Sequence, residues 1–411
     1  MLIYFPNTAR VSFHACSPSA APEAGFPLTA EVLAAAALAV WVYLLFGRGA
    51  FWLCSERDNW ISGLPMEWPA LAAIVPARNE AGLIAASIGS LVRQDYKGAW
   101  CIILVDDESS DDTVAIAQRA VPEEYKKRLR IVTSRALASG WTGKLWALKQ
   151  GVDAALAIEP RPEYLLLTDA DILHPSDSVT RLVQHANQRR IVLLSLMVKL
   201  HCQSFAERAN VPAFIFFFQM LYPFRWVNRP SNSVAAAAGG CMLVRTDALA
   251  SAGGIDPVRG ALIDDCALAS VLKRQGPIWV ALTTRVSSMR EYPTLADIRG
   301  MIARSAYAQL RYSLLLLAGT LGGMLLTFVA PVLMALFASG VPRALGLLSW
   351  GIMAVVFQPI LRVYQLSPLW GFALPAIALE YLVFTLDSAY AYARGRGGTW
   401  KGRAQAKASE L

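Results

Sequence analysis

An apolar run from Leu28 to Phe46 fixes the first element of this chain before anything else is read. At about 1.5 Å per residue it makes about one bilayer crossing as a helix. The final third carries three more such runs, near Leu314–Ala338, Ala344–Leu361 and Leu369–Leu386. Together they explain a composition of 55% hydrophobic and 17% charged residues, too apolar for an ordinary soluble enzyme. The excess sits at the two ends, which predicts a soluble middle held between membrane-embedded segments. Residues 1–27 are polar to mixed and lack a basic stretch ahead of the apolar run, so a retained anchor is expected rather than a cleaved signal.

Arg48 and Arg57 follow the anchor, and the positive-inside tendency then places the middle of the chain in the cytoplasm. This predicts a multi-pass protein of the cell inner membrane, with Trp41, Tyr43, Phe51 and Trp52 in an interfacial aromatic belt. The expected organisation is an N-terminal segment (1–27), an anchor (28–47), a soluble domain (70–312), C-terminal membrane helices (313–393) and a basic cytoplasmic tail (394–411). One anchor plus three full crossings would put that tail on the wrong side. Either one C-terminal run is re-entrant or paired within the membrane, or the amino terminus is not translocated.

The net charge of +8 suits anionic lipid headgroups or an anionic substrate. Nucleic acid is not an expected partner, because no basic helix or aromatic base platform is present. The six cysteines form no C-x-x-C pair and the four histidines are dispersed, which argues against zinc and for a reducing compartment.

From Leu71 the pattern changes. Leu71–Val75, Cys101–Val105, Arg130–Val132, Tyr164–Leu167 and Ile191–Val198 read as buried strands, with amphipathic stretches such as Leu83–Gln94 and Thr113–Ala120 between them. Such alternation predicts a mostly parallel sheet with helices on both faces and ligands at the carboxyl ends of its strands. The apolar run Val211–Phe224 is too short to span a bilayer, and reads equally as a core helix or an interfacial one.

Five polar constellations punctuate this middle region. Val75-Pro76-Ala77-Arg78-Asn79-Glu80 ends the first strand in a polar turn able to face a nucleotide, although Asn-Glu also suits a helix start. Asp106 and Asp107 follow the second strand, placed to accept hydrogen bonds from a base and ribose, while Asp111 or Asp112 caps the next helix. Gly143-Lys144 opens a helix, where dipole and ammonium both favour phosphate, or simply a solvated basic residue. Asp169 and Asp171 leave a wholly apolar strand two residues apart, so both carboxylates reach one hard cation. Last come Gly239-Gly240-Cys241, the pair Asp264-Asp265, and Arg304 with Arg311 and Tyr312. Adjacent carboxylates push one pKa upward, which suits a general base, and the arginines suit a diphosphate clamp or lipid headgroups.

In this order, the middle region resembles the family 2 glycosyltransferases. That resemblance implies an α/β fold of the GT-A (Rossmann-like) type, a nucleotide-sugar domain inserted between transmembrane helices. It implies nucleotide-sugar contacts from Pro76, Ala77, Glu80, Asp106, Asp107, Lys144, Asp169, Arg304, Arg311 and Tyr312. It further implies Mg²⁺ or Mn²⁺ on Asp169 and Asp171, and a catalytic base at Asp265 beside Asp264. Gly140–Leu148, the Gly239-Gly240-Cys241 turn, assigned to the acceptor side, and Gln309–Tyr312 are similar to the hopene-associated and ceramide glucosyltransferase-like group. The likeness implies inverting transfer from a UDP-sugar to a membrane lipid such as a hopanoid. The Q-x-x-R-W motif of the family departs here, with Ala308 for glutamine and Tyr312 for tryptophan around a retained Arg311, which speaks against processive synthesis. A polyprenyl-phosphate sugar transferase and a non-catalytic nucleotide-binding membrane protein are the alternatives.

Overall fold

The computed structural model describes residues 27–60, 67–395, 399–400 and 403–404. The expected N-terminal segment, apart from Pro27, and most of the expected basic tail lie outside the described residues.

Eight strands form one sheet: β1 (Leu71–Ala77), β2 (Trp100–Asp106), β3 (Leu129–Thr133), β4 (Tyr164–Thr168), β5 (Ile172–Leu173), β6 (Leu193–Lys199), β7 (Cys241–Arg245) and β8 (Ile278–Ser288). Their order is β3-β2-β1-β4-β7-β6-β8-β5. The first four are mutually parallel, as the alternation predicts. The sheet then turns mixed, because β7 runs antiparallel to both β4 and β6. β1 feeds β2 on one side and pairs with β4 on the other, so the strand order reverses between β1 and β4. A crevice forms at such a reversal. Pro76 widens it: without an N–H it cannot continue a ladder on both edges, and pairing with β4 stops at Ile74↔Leu167 while pairing with β2 runs on to Ala77↔Asp106.

The helices are α1 (Pro27–Val42), α2 (Ile84–Val92), α3 (Thr113–Arg119), α4 (Gly143–Leu156), α5 (Ser178–Arg189), α6 (Phe205–Leu221), α7 (Phe224–Val227) and α8 (Thr246–Ser251). They continue as α9 (Asp264–Leu272), α10 (Leu295–Ala303), α11 (Ala306–Gln309), α12 (Leu314–Met324), α13 (Ala330–Phe337), α14 (Gly340–Val356), α15 (Gln358–Val363) and α16 (Trp370–Ala393). Two apolar cores cover the two faces of the sheet, one built with α2 and α5, the other with α4, α6 and α9. Gly151 lets α4 lie flat on the sheet, since a Cβ there would collide with Ile74 and Val105.

Four helical stretches, Thr29–Gly47, Leu314–Phe337, Gly340–Val363 and Trp370–Ala393, are long and apolar enough to cross a membrane. The ambiguous Val211–Phe224 run lies mostly in α6, whose Val211, Ala213, Ile215 and Phe216 are buried. This helix is wedged between the sheet domain and the apolar helices α15 and α16. Arg48 fastens the anchor to it, donating to the terminal carbonyls of Met220 (3.0 Å) and Leu221 (3.1 Å) and stacking on Trp226.

Candidate active site

A pocket of about 370 Å³ opens at the β1/β4 reversal. It gathers Pro76, Glu80, Lys144, Asp169, Asp171, Gly239, Gly240, Asp264, Asp265 and Arg304 from segments distant in sequence. A larger cleft of about 970 Å³ lies at the opposite strand ends, but its arginines are balanced by Glu67, Glu163 and Asp247 and it holds none of the five constellations.

Lys144 is the electrostatic centre. Thr142 caps α4 by accepting from the Leu145 N–H at 3.4 Å, which brings the Lys144 ammonium to the pocket floor. There it sits 3.0 Å from Asp169 and 3.2 Å from Asp264. Burial disfavours its charge, yet the carboxylates of Asp169, Asp264 and Asp265 outweigh that and hold it firmly protonated. Gly239 leaves room for this contact, because a Cβ there would lie 3.2 Å from the Lys144 nitrogen.

The two adjacent carboxylates have different surroundings. Asp264 pairs with Lys144, whereas Asp265 accepts backbone N–H groups from Cys266 (2.7 Å) and Gly239 (2.9 Å). Burial, then the neighbouring Asp264, push the Asp265 carboxyl up to about 6, against the opposing pull of Lys144 and the two N–H donors. That places its proton exchange in the range useful to a general base at neutral pH.

Asp169 and Asp171 both reach the pocket. Among the described residues, no group of three or more His, Cys, Asp or Glu forms a closed metal cage. Two carboxylates on an open pocket nevertheless suit Mg²⁺ or Mn²⁺, which commonly takes its other ligands from substrate phosphates and water.

Asp171 also reveals a residue the sequence reading missed. Its Oδ2 accepts from Ser288 Oγ (2.9 Å) and from Arg290 Nε (3.0 Å). The other end of Arg290 grips both oxygens of Glu80, at 2.6 and 2.8 Å. One guanidinium thus ties the end of β1 to the acidic turn after β4. The available signal was an arginine just past a strand-like run, Ile278–Ser288, which the exposed Thr284 and Arg285 within it obscured. Arg290→Ala is expected to lower kcat/KM by about 10–100-fold by loosening a carboxylate that supports the metal position. Arg290→Lys should recover little, lacking the two-sided fork. Donor and Mn²⁺ titrations of both variants would measure this, and unchanged constants would remove Arg290 from the role.

Other expected site residues fall outside the pocket lining. Ala77 and Asp106 are paired strand-end neighbours beside it. Asp107 is buried against Arg78, 3.6 Å away. Of the two proposed caps, Asp112 takes the N-cap position without a side-chain bond, while Asp111 just before it accepts from the N–H groups of Thr113 and Ala81 at 3.1 Å each. Cys241 turns into the core as the first residue of β7. Arg311 and Tyr312 adopt positive φ (51° and 55°), and Tyr312 stacks on Tyr392 with centroids 4.3 Å apart.

The model of glycosyl transferase family 2 matches residues 72–252, and that of glycosyl transferase family group 2 matches residues 164–385. No curated protein matches the sequence. Among solved structures, the mannosyltransferase PcManGT from Pyrobaculum calidifontis, in complex with GDP-Man and Mn²⁺, is similar over 87% of this chain and 99% of that chain, with 19% identity and a TM-score of 0.53. S. aureus TarS in complex with UDP-GlcNAc is similar over 80% of this chain and 92% of that chain, with 15% identity and a TM-score of 0.35. Glucosyl-3-phosphoglycerate synthase from Mycobacterium tuberculosis, in complex with Mg²⁺ and UDP, is similar over 59% of this chain and 79% of that chain, with 17% identity and a TM-score of 0.39. The first likeness is one of fold, an α/β sheet domain of the GT-A type.

Proposed function

Because the chain belongs to glycosyl transferase family 2, we propose that it is a membrane-bound enzyme moving a sugar, with inversion, from a nucleoside diphosphate to a lipid hydroxyl. One observation carries this reading: the charged pocket has an apolar wall. Phe214 and Phe218 from α6, with Leu200 and Met301, line the same space as Asp264 and Asp265. The same helix α6 meets the apolar helices through the neighbouring Phe216, against Phe357, and Phe217, against Tyr381.

The division of labour follows from the contacts. Asp169 and Asp171 would hold a Mg²⁺ or Mn²⁺ ion, which would supply neutralisation of charge on the departing diphosphate. Lys144 and Arg304 add positive charge around the same group. Asp265 removes the acceptor proton, and Asp264 keeps Lys144 in place. A single base suits direct displacement, hence inversion at the sugar carbon. Arg311 and Tyr312 have no part in donor binding in this reading, and Asp106 and Asp107 shape the nucleotide end of the crevice from behind.

The base also discriminates between acceptors. A polyprenyl phosphate is already an anionic nucleophile, needs no proton removed, and would be repelled by two carboxylates. A lipid alcohol, of which a hopanoid is one, needs the base. Detergent-purified protein given UDP- and GDP-sugars should release more nucleoside diphosphate when hydroxylated lipids are added than with polyprenyl phosphate. Release indifferent to any lipid would sink the acceptor assignment.

A pH profile tests the base separately. With the Asp265 carboxyl pushed up to about 6, only its deprotonated form accepts the proton. The value of kcat/KM should therefore rise about tenfold per pH unit below about 6 and level off above it. A profile flat across that region would remove Asp265 as the base.

A further inference from the structure

The charged side chains of the pocket are for the most part paired within the protein. Asp169 and Asp264 share Lys144, Asp265 holds two backbone N–H groups, and Arg290 spans Asp171 and Glu80. Two donors in the same lining differ. Among the described residues, the Arg304 guanidinium and the Tyr292 hydroxyl make no hydrogen bond or ion pair with the protein. A donor left open in an otherwise satisfied pocket is what an incoming ligand meets. Arg304 has a task in the reading above; Tyr292 has none.

The segment that carries Tyr292 is fastened at three points. The Met289 N–H donates to the Asp171 carbonyl at 2.9 Å, and the Arg290 fork follows. The Tyr292 N–H then donates to Glu207 Oε1 at 2.7 Å. Glu207 lies in the first turn of α6 and is fully buried. Its oxygens also accept from His201 Nδ1 (2.8 Å) and from the N–H groups of Gln203 (2.8 Å) and Ser204 (2.9 Å). Burial opposes its charge, yet the Tyr292 N–H, His201 and the other two N–H groups outweigh that and hold the carboxyl at about 2. Pro293 follows and biases the Tyr292 backbone away from the helical region.

The side chain lines the pocket, where the phenol faces Arg290, Asp171, Arg304 and Asp169. Burial pushes its pKa up from the ordinary value, so the group stays an O–H donor. In the reading above, Asp169 and Asp171 take the metal and Arg304 the diphosphate. The substrate group common to all three is the terminal phosphate of the nucleotide. As the sugar departs, charge grows on that phosphate. A neutral donor already fixed in place stabilises it without reorganisation.

We propose that Tyr292 is a further substrate-contact residue, its hydroxyl donating a hydrogen bond to the terminal phosphate of the nucleoside diphosphate, and that Glu207 is the positioning residue that holds it there. This rests on the glycosyltransferase reading of the pocket.

Tyr292→Phe removes the donor and leaves the backbone bond to Glu207 intact. Calorimetric titration of the full-length variant with UDP or GDP, each with Mn²⁺, should show affinity lower by about 10–100-fold, the usual worth of a hydrogen bond to a charged group. UMP and GMP lack the terminal phosphate, and their affinities should stay within about twofold. The value of kcat should fall by at least as much as diphosphate affinity, because the charge is greatest as the bond breaks. Equal losses on mono- and diphosphates, or no loss on either, would overturn the contact. Failure of the unaltered chain to bind any nucleoside diphosphate with Mn²⁺ would overturn the glycosyltransferase reading itself. Glu207→Gln should show the same selectivity for diphosphates, and the double variant should lose little more than Tyr292→Phe alone. Additive losses would remove Glu207 from the positioning role.

Discussion

Asp265→Asn is expected to cut sugar transfer by about 10²–10⁴-fold, the usual worth of a positioned general base, while nucleotide binding survives. Its oxygens accept from Cys266 and Gly239, and neither oxygen is paired with Lys144. The amide keeps the size of the side chain but offers one acceptor for two N–H donors. About 1 kcal/mol of local stability should be lost, too little to unfold the site. In the proposed reading the donor diphosphate would be held by Lys144 and by a metal ion on Asp169 and Asp171 instead, so calorimetric binding of UDP or GDP with Mn²⁺ should change little. Retained turnover would sink the assignment, and loss of nucleotide binding would turn it into a structural role. Asp264→Asn offers the contrast: it loosens Lys144, whose partner it is at 3.2 Å, so donor KM should suffer more than the proton step.

How much of this was legible depended on what each segment buries. β1, β2 and β4 are covered on both faces, so they read as plain apolar runs, and their polar ends marked one rim of the pocket. β8 carries exposed Thr284 and Arg285 within it, and its periodicity is correspondingly blurred. With β8 unread, Arg290 just beyond it had no strand end to belong to. The antiparallel β7 was legible only as its leading Gly-Gly-Cys, because five residues after a turn leave little pattern. Arg311 and Tyr312 were assigned by likeness of motif. Motif spacing carries no information about backbone sign, and the two positive φ values send this segment toward Tyr392.

Asp169→Asn should produce the second large loss, and through the other half of the reaction. This carboxylate touches Lys144 at 3.0 Å and shares the pocket with Asp171, so in the proposed reading it would be both a metal ligand and the partner of the Lys144 ammonium. Neutralising charge on a departing diphosphate is worth several kcal/mol. Losing about 4 kcal/mol of that corresponds to about a thousandfold in rate, at about 1.4 kcal/mol per factor of ten. The signature differs from that of Asp265→Asn. Metal-dependent nucleotide affinity should fall together with turnover, and raising Mn²⁺ should restore part of both, because Asp171 remains, held by Ser288 and Arg290. The acid limb set by Asp265 should persist in whatever activity is left, since the burial and the neighbouring Asp264 that push the Asp265 carboxyl up are left in place. A variant that bound nucleotide as tightly with metal as the unaltered chain, yet turned over slowly, would deny Asp169 its place on the metal and leave it only the task of orienting Lys144.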